Sequence, residues 1–165
     1  MSLIDHLVRL SLPLIPKAVI WTVARRYVAG AGLPAALDRI RAIRADGFGS
    51  ILDVLGEGIE DIREAEAAFA EYQAALDQLP DVDPHTTVSV KPTHLGATID
   101  KAACVRMLSE LCVRAAEQGR QVRLEMEDAP TIDVTLEVFR EVRARHDNLG
   151  CVLQARLFRT AADVS

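Results

Sequence analysis

The stretch Val122-Arg-Leu-Glu-Met-Glu-Asp128 is unusual, because it has the form of a short buried strand and yet carries acidic side chains. A parallel strand covered by helices on both faces is a nearly continuous apolar run. Burying an unpaired charge is costly unless a partner compensates it. Glu125 and Glu127 are two residues apart and therefore share one face of a strand. Either that face lines a polar cavity, or the stretch is not a buried strand.

The composition of the chain is that of an ordered protein without a basic surface. Its 165 residues are 50% hydrophobic and 4% aromatic, which suits one domain with a substantial core. The formal net charge of -5 argues against a nucleic-acid partner bound by electrostatics. Cys104, Cys112 and Cys151 form no Cys-x-x-Cys pair, so we expect reduced thiols and a cytoplasmic location.

The N-terminal segment, residues 1–33, is apolar and is predicted to form two short helices broken at Leu12-Pro-Leu-Ile-Pro16. Prolines and charged residues interrupt it, so no part approaches the roughly 20 apolar residues that a membrane-spanning helix needs. Asp5 stands where a signal peptide is basic, which argues against a signal peptide. We expect the apolar surface of this segment to pack on the rest of the protein, with peripheral contact to a membrane surface as the alternative.

The remainder of the chain, residues 34–165, alternates between helical and extended patterns. Helices are predicted at 34–45, 60–79, 99–118 and 133–145, and strands at 48–55, 86–91, 122–128 and 149–155. Four successive units of this kind favour a parallel α/β sheet, either open or part of a barrel. No Gly-x-Gly-x-x-Gly follows any strand and no P-loop is present, so the usual dinucleotide and nucleoside-triphosphate folds are not supported.

The last residues of the chain look like the beginning of another helix. Thr160-Ala-Ala-Asp163 has the spacing of a capping box, and the chain stops at Ser165. Because folded domains rarely end where a helix begins, we expect this chain to lack its continuation.

Polar side chains fall at or near the carboxyl end of every predicted strand. In chain order they are Asp53 and Glu57, Lys91 and His94, Glu125, Glu127 and Asp128, and Gln154 and Arg156. The carboxyl ends of parallel strands are where α/β sheets and barrels build their sites. The convergence of four strands on one rim is stronger than any single residue, and it predicts a functional site there.

Each of these residues also has a structural interpretation. Asp53 is equally well explained by a turn at the end of a strand. The two glutamates of the central strand are also explained by a structural ion pair with Arg123 or Lys91. Gln154 lies in an apolar strand and needs partners for its amide, from the backbone or from a ligand. His94 is expected to be a loop residue.

Four segments together resemble the FAD-dependent proline dehydrogenases. They are Leu52-Asp-Val-Leu-Gly-Glu57, Val88-Ser-Val-Lys-Pro-Thr93, Val122-Arg-Leu-Glu-Met-Glu-Asp128 and Val152-Leu-Gln-Ala-Arg-Leu157, in the order and at the spacing of that family. The resemblance extends from about Trp21 to Asp163. It implies the first half of a (βα)8 TIM-type barrel, preceded by N-terminal helices. It also implies oxidation of L-proline to 1-pyrroline-5-carboxylate, with FAD as hydride acceptor and a membrane quinone as the final electron acceptor.

The resemblance also implies roles for individual residues. Glu125 falls at the position of the catalytic-site carboxylate and Lys91 at that of a lysine near the substrate. Met126 falls where the backbone touches the flavin, and Gln154 where a glutamine is hydrogen-bonded to the flavin ring. No metal ligand is implied. Glu125 stands in place of the family's usual aspartate, and the extra methylene displaces a carboxylate that orients its neighbours. Arg156 replaces a common aromatic residue.

The family continues with strands and a final helix that have no counterpart before Ser165, among them the arginines that bind the proline carboxylate and most of the FAD phosphate contacts. We therefore expect the isolated chain to be inactive, and to be dimeric or prone to aggregation, because a half barrel leaves a strand edge unpaired. One alternative is a non-catalytic or split-subunit barrel fragment that associates with itself or with a partner. A further alternative is a metal-dependent enzyme with Asp53, Glu125 and Glu127 as oxygen ligands.

Overall fold

The computed structural model of the protein describes residues 28–30 and 32–164. The two helices predicted before residue 28 lie outside the described residues. The chain divides into two compact units, Met1–Arg39 and Ile40–Ser165. The sheet and the candidate site belong to the second unit, while the predicted division into residues 1–33 and 34–165 stays a prediction. None of the helices in the described part of the chain is long and apolar enough to cross a membrane.

Helices and strands alternate along the described chain, as the sequence predicts. They are α1 (Leu33–Ala45), β1 (Ile51–Asp53), α2 (Ile62–Gln78), β2 (Thr87–Val90), α3 (Lys101–Glu117), β3 (Val122–Leu124), α4 (Ile132–Arg143), β4 (Leu149–Cys151) and α5 (Thr160–Asp163). Two short 3-10 turns, Thr93–Leu95 and Ala129–Thr131, follow β2 and precede α4.

The four strands form one parallel sheet in the order β1-β2-β3-β4. Each strand pairs with the next one along the chain, so α2, α3 and α4 each connect two neighbouring strands. The predicted α/β class is confirmed, and the architecture is that of part of a (βα)8 barrel. The register aligns Asp53 with Ser89 and Ser89 with Arg123, and it therefore brings the carboxyl ends of the first three strands to one edge.

The strands are shorter than the sequence predicts, and this difference matters most in β3. The strand ends at Leu124, so the prediction that Glu125 and Glu127 lie within it is wrong. Glu125 still donates its backbone N–H to the carbonyl of Val90 over 2.9 Å, which continues the pairing for one residue. Beyond that point polar side chains and Pro130 turn the chain toward α4, since proline cannot donate to a ladder.

Burial alternates along residues 122–127, and this alternation explains how the segment carries acidic side chains. Val122, Leu124 and Met126 are buried, and Met126 packs against residues of α4. Arg123 is exposed and Glu125 is half-buried on the opposite side. We call this opposite side, which carries Asp53, Lys91 and Glu125, the inner face. The acidic residues are therefore tolerated because only the other face of the strand lies against helices.

Helix faces with apolar residues three and four positions apart supply the core. The buried residues of α2 are Ala65, Ala68, Tyr72, Ala75 and Leu76, and those of α3 include Cys104, Leu108, Leu111 and Cys112. Asp61 and Asp100 cap these two helices by accepting the N–H groups of Arg63 and Ala103. Burial of the thiol raises the pKa of Cys104 to about 12, so this cysteine is a packing residue.

A buried polar network closes the amino end of the sheet. Asp83 accepts hydrogen bonds from the Thr86 hydroxyl (2.6 Å) and from the backbone N–H of His85 (3.1 Å). Arg44 lies 3.9 Å from the same carboxylate. Burial disfavours the charge on Asp83, but the two hydrogen bonds and Arg44 outweigh it and lower the pKa of this carboxyl.

Replacing Asp83 should test this network. Asp83→Asn is expected to lower the free energy of unfolding at pH 7 by about 1–3 kcal/mol, because a buried hydrogen-bonded acceptor is lost. The lowered pKa makes the contribution of Asp83 complete above the unfolded value of about 3.9 and lost as the pH falls through the folded value. Urea unfolding of both forms should therefore show a difference that narrows below about pH 4.

The exposed residue Asp81, two positions earlier in the same loop, provides the control. Asp81→Asn should change the free energy of unfolding by less than about 0.5 kcal/mol. An equal effect of the two substitutions would contradict the assignment of the network to Asp83.

Candidate functional site

Lys91 lies at the centre of a charged cluster at the carboxyl edge of the sheet. Its Nζ donates to Oδ2 of Asp53 over 2.6 Å and lies 3.9 Å from Oε2 of Glu125. The three residues leave three neighbouring strands, and the last regular pair, Val90 with Leu124, places Lys91 beside Glu125. The lysine side chain is only 14% exposed, whereas the two carboxylates are 39% and 32% exposed.

The acidic neighbours keep Lys91 in its charged form. Burial opposes the ammonium, but the hydrogen bond and charge of Asp53, helped by Glu125 and Glu57, outweigh it and raise the pKa of Lys91. An ammonium has three N–H donors, and Asp53 takes one of them. Lys91 can therefore offer charged N–H donors to an anionic group, although Asp53 and Glu125 leave the cluster with a negative formal charge.

Ser89 is a member of this cluster that the sequence analysis did not single out. It is buried, and its hydroxyl donates to Oε1 of Glu125 over 2.5 Å. Ser89 precedes Lys91 by two residues and therefore points to the same face of β2. The spacing predicts that Ser89 and Lys91 share a face, but it does not predict the hydrogen bond between Ser89 and the Glu125 carboxylate.

Glu127 makes a different set of contacts from Glu125. Its carboxylate accepts the backbone N–H of Thr93 (2.9 Å) and the Thr93 hydroxyl (2.6 Å). The same hydroxyl accepts the backbone N–H of Gly58 over 2.8 Å. Glu127 thus joins three connections that leave the sheet, and its carboxylate is used inside the protein rather than beside Lys91.

Gln154 is held against the neighbouring segment by its amide. Nε2 donates to the backbone carbonyls of Met126 (2.7 Å) and Glu127 (3.0 Å). Oε1 accepts from Nε of Arg156 over 2.9 Å. The side chain of Met126 packs under α4, so only its backbone can face a ligand at this edge. Both amide hydrogens of Gln154 are occupied, and its oxygen retains one acceptor position.

His94 is buried, although the sequence predicts a loop residue. It lies in the 3-10 turn after β2 and contacts the Tyr72 ring edge-on, with ring centroids 5.9 Å apart. Burial, followed by the charge of Lys91, lowers the pKa of His94. Gly56 lies so close that an added Cβ would be 2.3 Å from Nε2 of His94, which ties the β1–α2 connection to this turn.

The structure therefore sorts the residues of the predicted rim. Asp53, Lys91 and Glu125 come together, while Glu127 and Gln154 bond to the protein itself. Glu57 and Asp128 are exposed. Within residues 28–30 and 32–164, no group of three or more His, Cys, Asp or Glu side chains is arranged to hold a metal ion. The carboxylates of Asp53 and Glu125 are 39% and 32% exposed, so the site is partly open to solvent. The grooves beside α2–α3 and beside α4–β4 include none of these residues.

Comparison with known proteins identifies the family of the chain. The family model described as proline dehydrogenase matches residues 36–165. Proline dehydrogenase 1 of Bacillus subtilis is 27% identical over 141 residues, which are 86% of this chain and 47% of that protein. Proline dehydrogenase of Deinococcus radiodurans is 31% identical over 150 residues, covering 87% of this chain and 48% of the relative.

Solved structures share the fold. Proline utilization A from Bdellovibrio bacteriovorus, inactivated by N-propargylglycine, superposes with a TM-score of 0.78 and 24% identity, over 90% of this chain and 18% of that one. Proline utilization A from Bradyrhizobium japonicum gives a TM-score of 0.67 and 22% identity, over 83% and 16% of the two chains.

The matches extend over most of this chain but cover a limited part of each relative. The chain spans about half the length of the curated relatives it matches. The family model nevertheless matches nearly all of the sequence from α1 onward. The chain belongs to the proline dehydrogenase family.

Proposed function

We propose that this chain provides the first half of a barrel that oxidises L-proline to 1-pyrroline-5-carboxylate, with FAD as hydride acceptor. The proposal rests on the position of Lys91, which lies between Asp53 and Glu125 at the carboxyl edge of the sheet, in a chain of the proline dehydrogenase family. In this proposal residues 1–33 form the preceding helical segment and residues 34–165 the half barrel. The protein is cytoplasmic, with any membrane contact peripheral.

Lys91 binds the substrate carboxylate. Proline carries a carboxylate, and a charge-assisted hydrogen bond from an ammonium is stronger than a neutral one. Asp53 holds the Lys91 ammonium through a single contact of 2.6 Å. The other N–H donors of Lys91 therefore remain available to the substrate.

Glu125 serves as the catalytic-site carboxylate. Oxidation of proline to this product removes a hydride from the ring carbon that is bonded to the nitrogen and does not carry the carboxylate. It also removes a proton from the nitrogen. A carboxylate next to that nitrogen stabilises its positive charge and is a suitable proton acceptor. Ser89 holds one oxygen of Glu125, while the other oxygen is directed toward Lys91.

Met126 and Gln154 fit one edge of a flavin ring. The Gln154 amide is fixed by two backbone carbonyls and keeps one acceptor position free, so it is already oriented to receive a donor. When bound, the flavin supplies the two-electron acceptor that side chains lack. The carboxylates at this rim, Asp53, Glu57 and Glu125, do not fit a pyrophosphate. In this proposal the pyrophosphate of the cofactor is not bound by these three residues.

We further propose an electron acceptor and partners for the chain. A quinone would receive the electrons from the reduced cofactor, with residues 1–33 near a membrane surface. Association with a second half or with another copy is favoured by apolar side chains that are exposed on the second compact unit. Ile51 is 57%, Leu55 86% and Phe158 106% exposed. The same observation supports the alternative function, a non-catalytic or split-subunit fragment that acts through association.

The isolated chain should not oxidise proline. We expect no turnover of L-proline by purified chain with FAD and a quinone analogue. Lys91 is the one cation among the three clustered residues, and a single cation binds the proline carboxylate too weakly. Light scattering should show dimers or larger species. A full-length relative assayed in parallel is the positive control. Flavin-dependent turnover by this chain alone would show that the second half is dispensable.

The charge of Lys91 should depend on Asp53. Asp53→Asn removes the carboxylate closest to Lys91. Burial lowers the pKa of Lys91, and Glu125 and Glu57 counteract it less strongly than Asp53 does, so this pKa should fall. NMR titration of isotopically methylated lysines measures it directly. Lys101, which is exposed and paired with Glu137 over 2.7 Å, is the internal control and should not change. An unchanged pKa of Lys91 would contradict the role of Asp53.

A further inference from the structure

The pairing of β2 with β3 continues past the regular strands through side chains. The last ladder contact is the N–H of Glu125 donating to Val90, which leaves Lys91 and Glu125 as the next pair. Two residues further, Thr93 lies beside Glu127 and is bonded to it by both its N–H and its hydroxyl. The Lys91–Glu125 pair is therefore enclosed between a backbone contact on one side and the Thr93–Glu127 contact on the other.

The Thr93 hydroxyl also reaches the connection between β1 and α2. It donates to Glu127 and accepts from the N–H of Gly58, so one buried oxygen links segments 34 and 35 residues away in the sequence. That connection has no regular secondary structure and follows directly from Asp53. Thr93 thus holds together the segments that supply all three charged residues of the site.

We propose that Thr93 is a positioning residue that acts through Glu127 and Gly58 to keep Asp53, Lys91 and Glu125 aligned. The assignment of these three to proline oxidation rests on the proposed function, whereas the link made by Thr93 does not. A side chain placed to within a fraction of an ångström needs a supporting layer of hydrogen bonds, and Thr93 provides it here. Its function differs from that of Thr86, whose hydroxyl bonds to Asp83 and Ser50 at the opposite end of the sheet.

The test compares Thr93→Val with Thr93→Ser and Thr86→Val in the complete chain. Valine keeps the shape of threonine and removes the hydroxyl, and serine restores it. Thr86→Val removes an equally buried hydroxyl from the amino end and is the matched control. The first readout is amide hydrogen exchange of Gly58 under native conditions, where an exposed segment exchanges by local opening. The second is acetylation of Lys91 by an activated ester, mapped by peptide mass spectrometry relative to Lys101.

Thr93→Val removes two hydrogen bonds of the hydroxyl, one with Gly58 and one with Glu127. It should accelerate exchange at Gly58 and acetylation of Lys91 by about fivefold each, the effect of one lost hydrogen bond of about 1 kcal/mol at each place. Thr93→Ser should restore both rates, and Thr86→Val should leave both unchanged while lowering the free energy of unfolding. Unchanged rates in Thr93→Val, or equal increases in Thr86→Val, would overturn the proposal.

A second variant keeps the test decisive if Thr93→Val does not fold. Glu127→Gln weakens the same link at its other end, because an amide keeps only one of the two acceptor oxygens that Thr93 uses. It should accelerate both reactions, though less than the loss of the hydroxyl. Neither readout involves flavin or proline, so a failure of the proposed function leaves this result unaffected.

Discussion

The parallel pairing of β2 with β3 determines which polar side chains meet at the carboxyl edge of the sheet. These are the two central strands, and Val88, Val90, Val122 and Leu124 are all completely buried. Because backbone hydrogen bonds fix the register, they also fix which polar side chains become neighbours beyond the strands. A shift of β2 by one residue would turn Lys91 to the helical side of the sheet, away from Asp53 and Glu125. The site is therefore a consequence of register more than of local sequence.

The charges at the carboxyl edge are tolerated because the inner face is open. Exposed ion pairs contribute about 0–1 kcal/mol to stability, whereas a buried pair that loses one member is strongly destabilising. Lys91 lies between these limits, since its side chain is 14% exposed and its carboxylate partners are two to three times more exposed. Covering this face with a partner or a second half would desolvate the cluster and strengthen each contact within it.

The sequence was sufficient for the order of elements and for the edge that carries the site. Periodic helices and β-branched runs predict the four units, and the clustering of polar residues at strand ends predicts the meeting of Asp53, Lys91 and Glu125. The sequence pattern predicts strand ends that lie too late in the chain, because apolar character persists beyond the last ladder bond, as at Met126. Whether Glu127 faces Thr93 or Lys91 depends on side-chain geometry across 34 residues of sequence, which no local pattern encodes.

The carboxylates at the two ends of the sheet have different partners, and Asp83 and Glu125 illustrate the difference. At the amino end, Asp83 is almost fully buried and its acceptors are used by Thr86 and His85, so its charge can serve only the fold. At the carboxyl end, Glu125 has one oxygen on Ser89 and the other 3.9 Å from Lys91, too far for a hydrogen bond. An aspartate there would be shorter by about 1.5 Å, one carbon–carbon bond. It would give up the serine contact unless the backbone moved. Ser89 and the longer side chain of Glu125 are therefore mutually fitted.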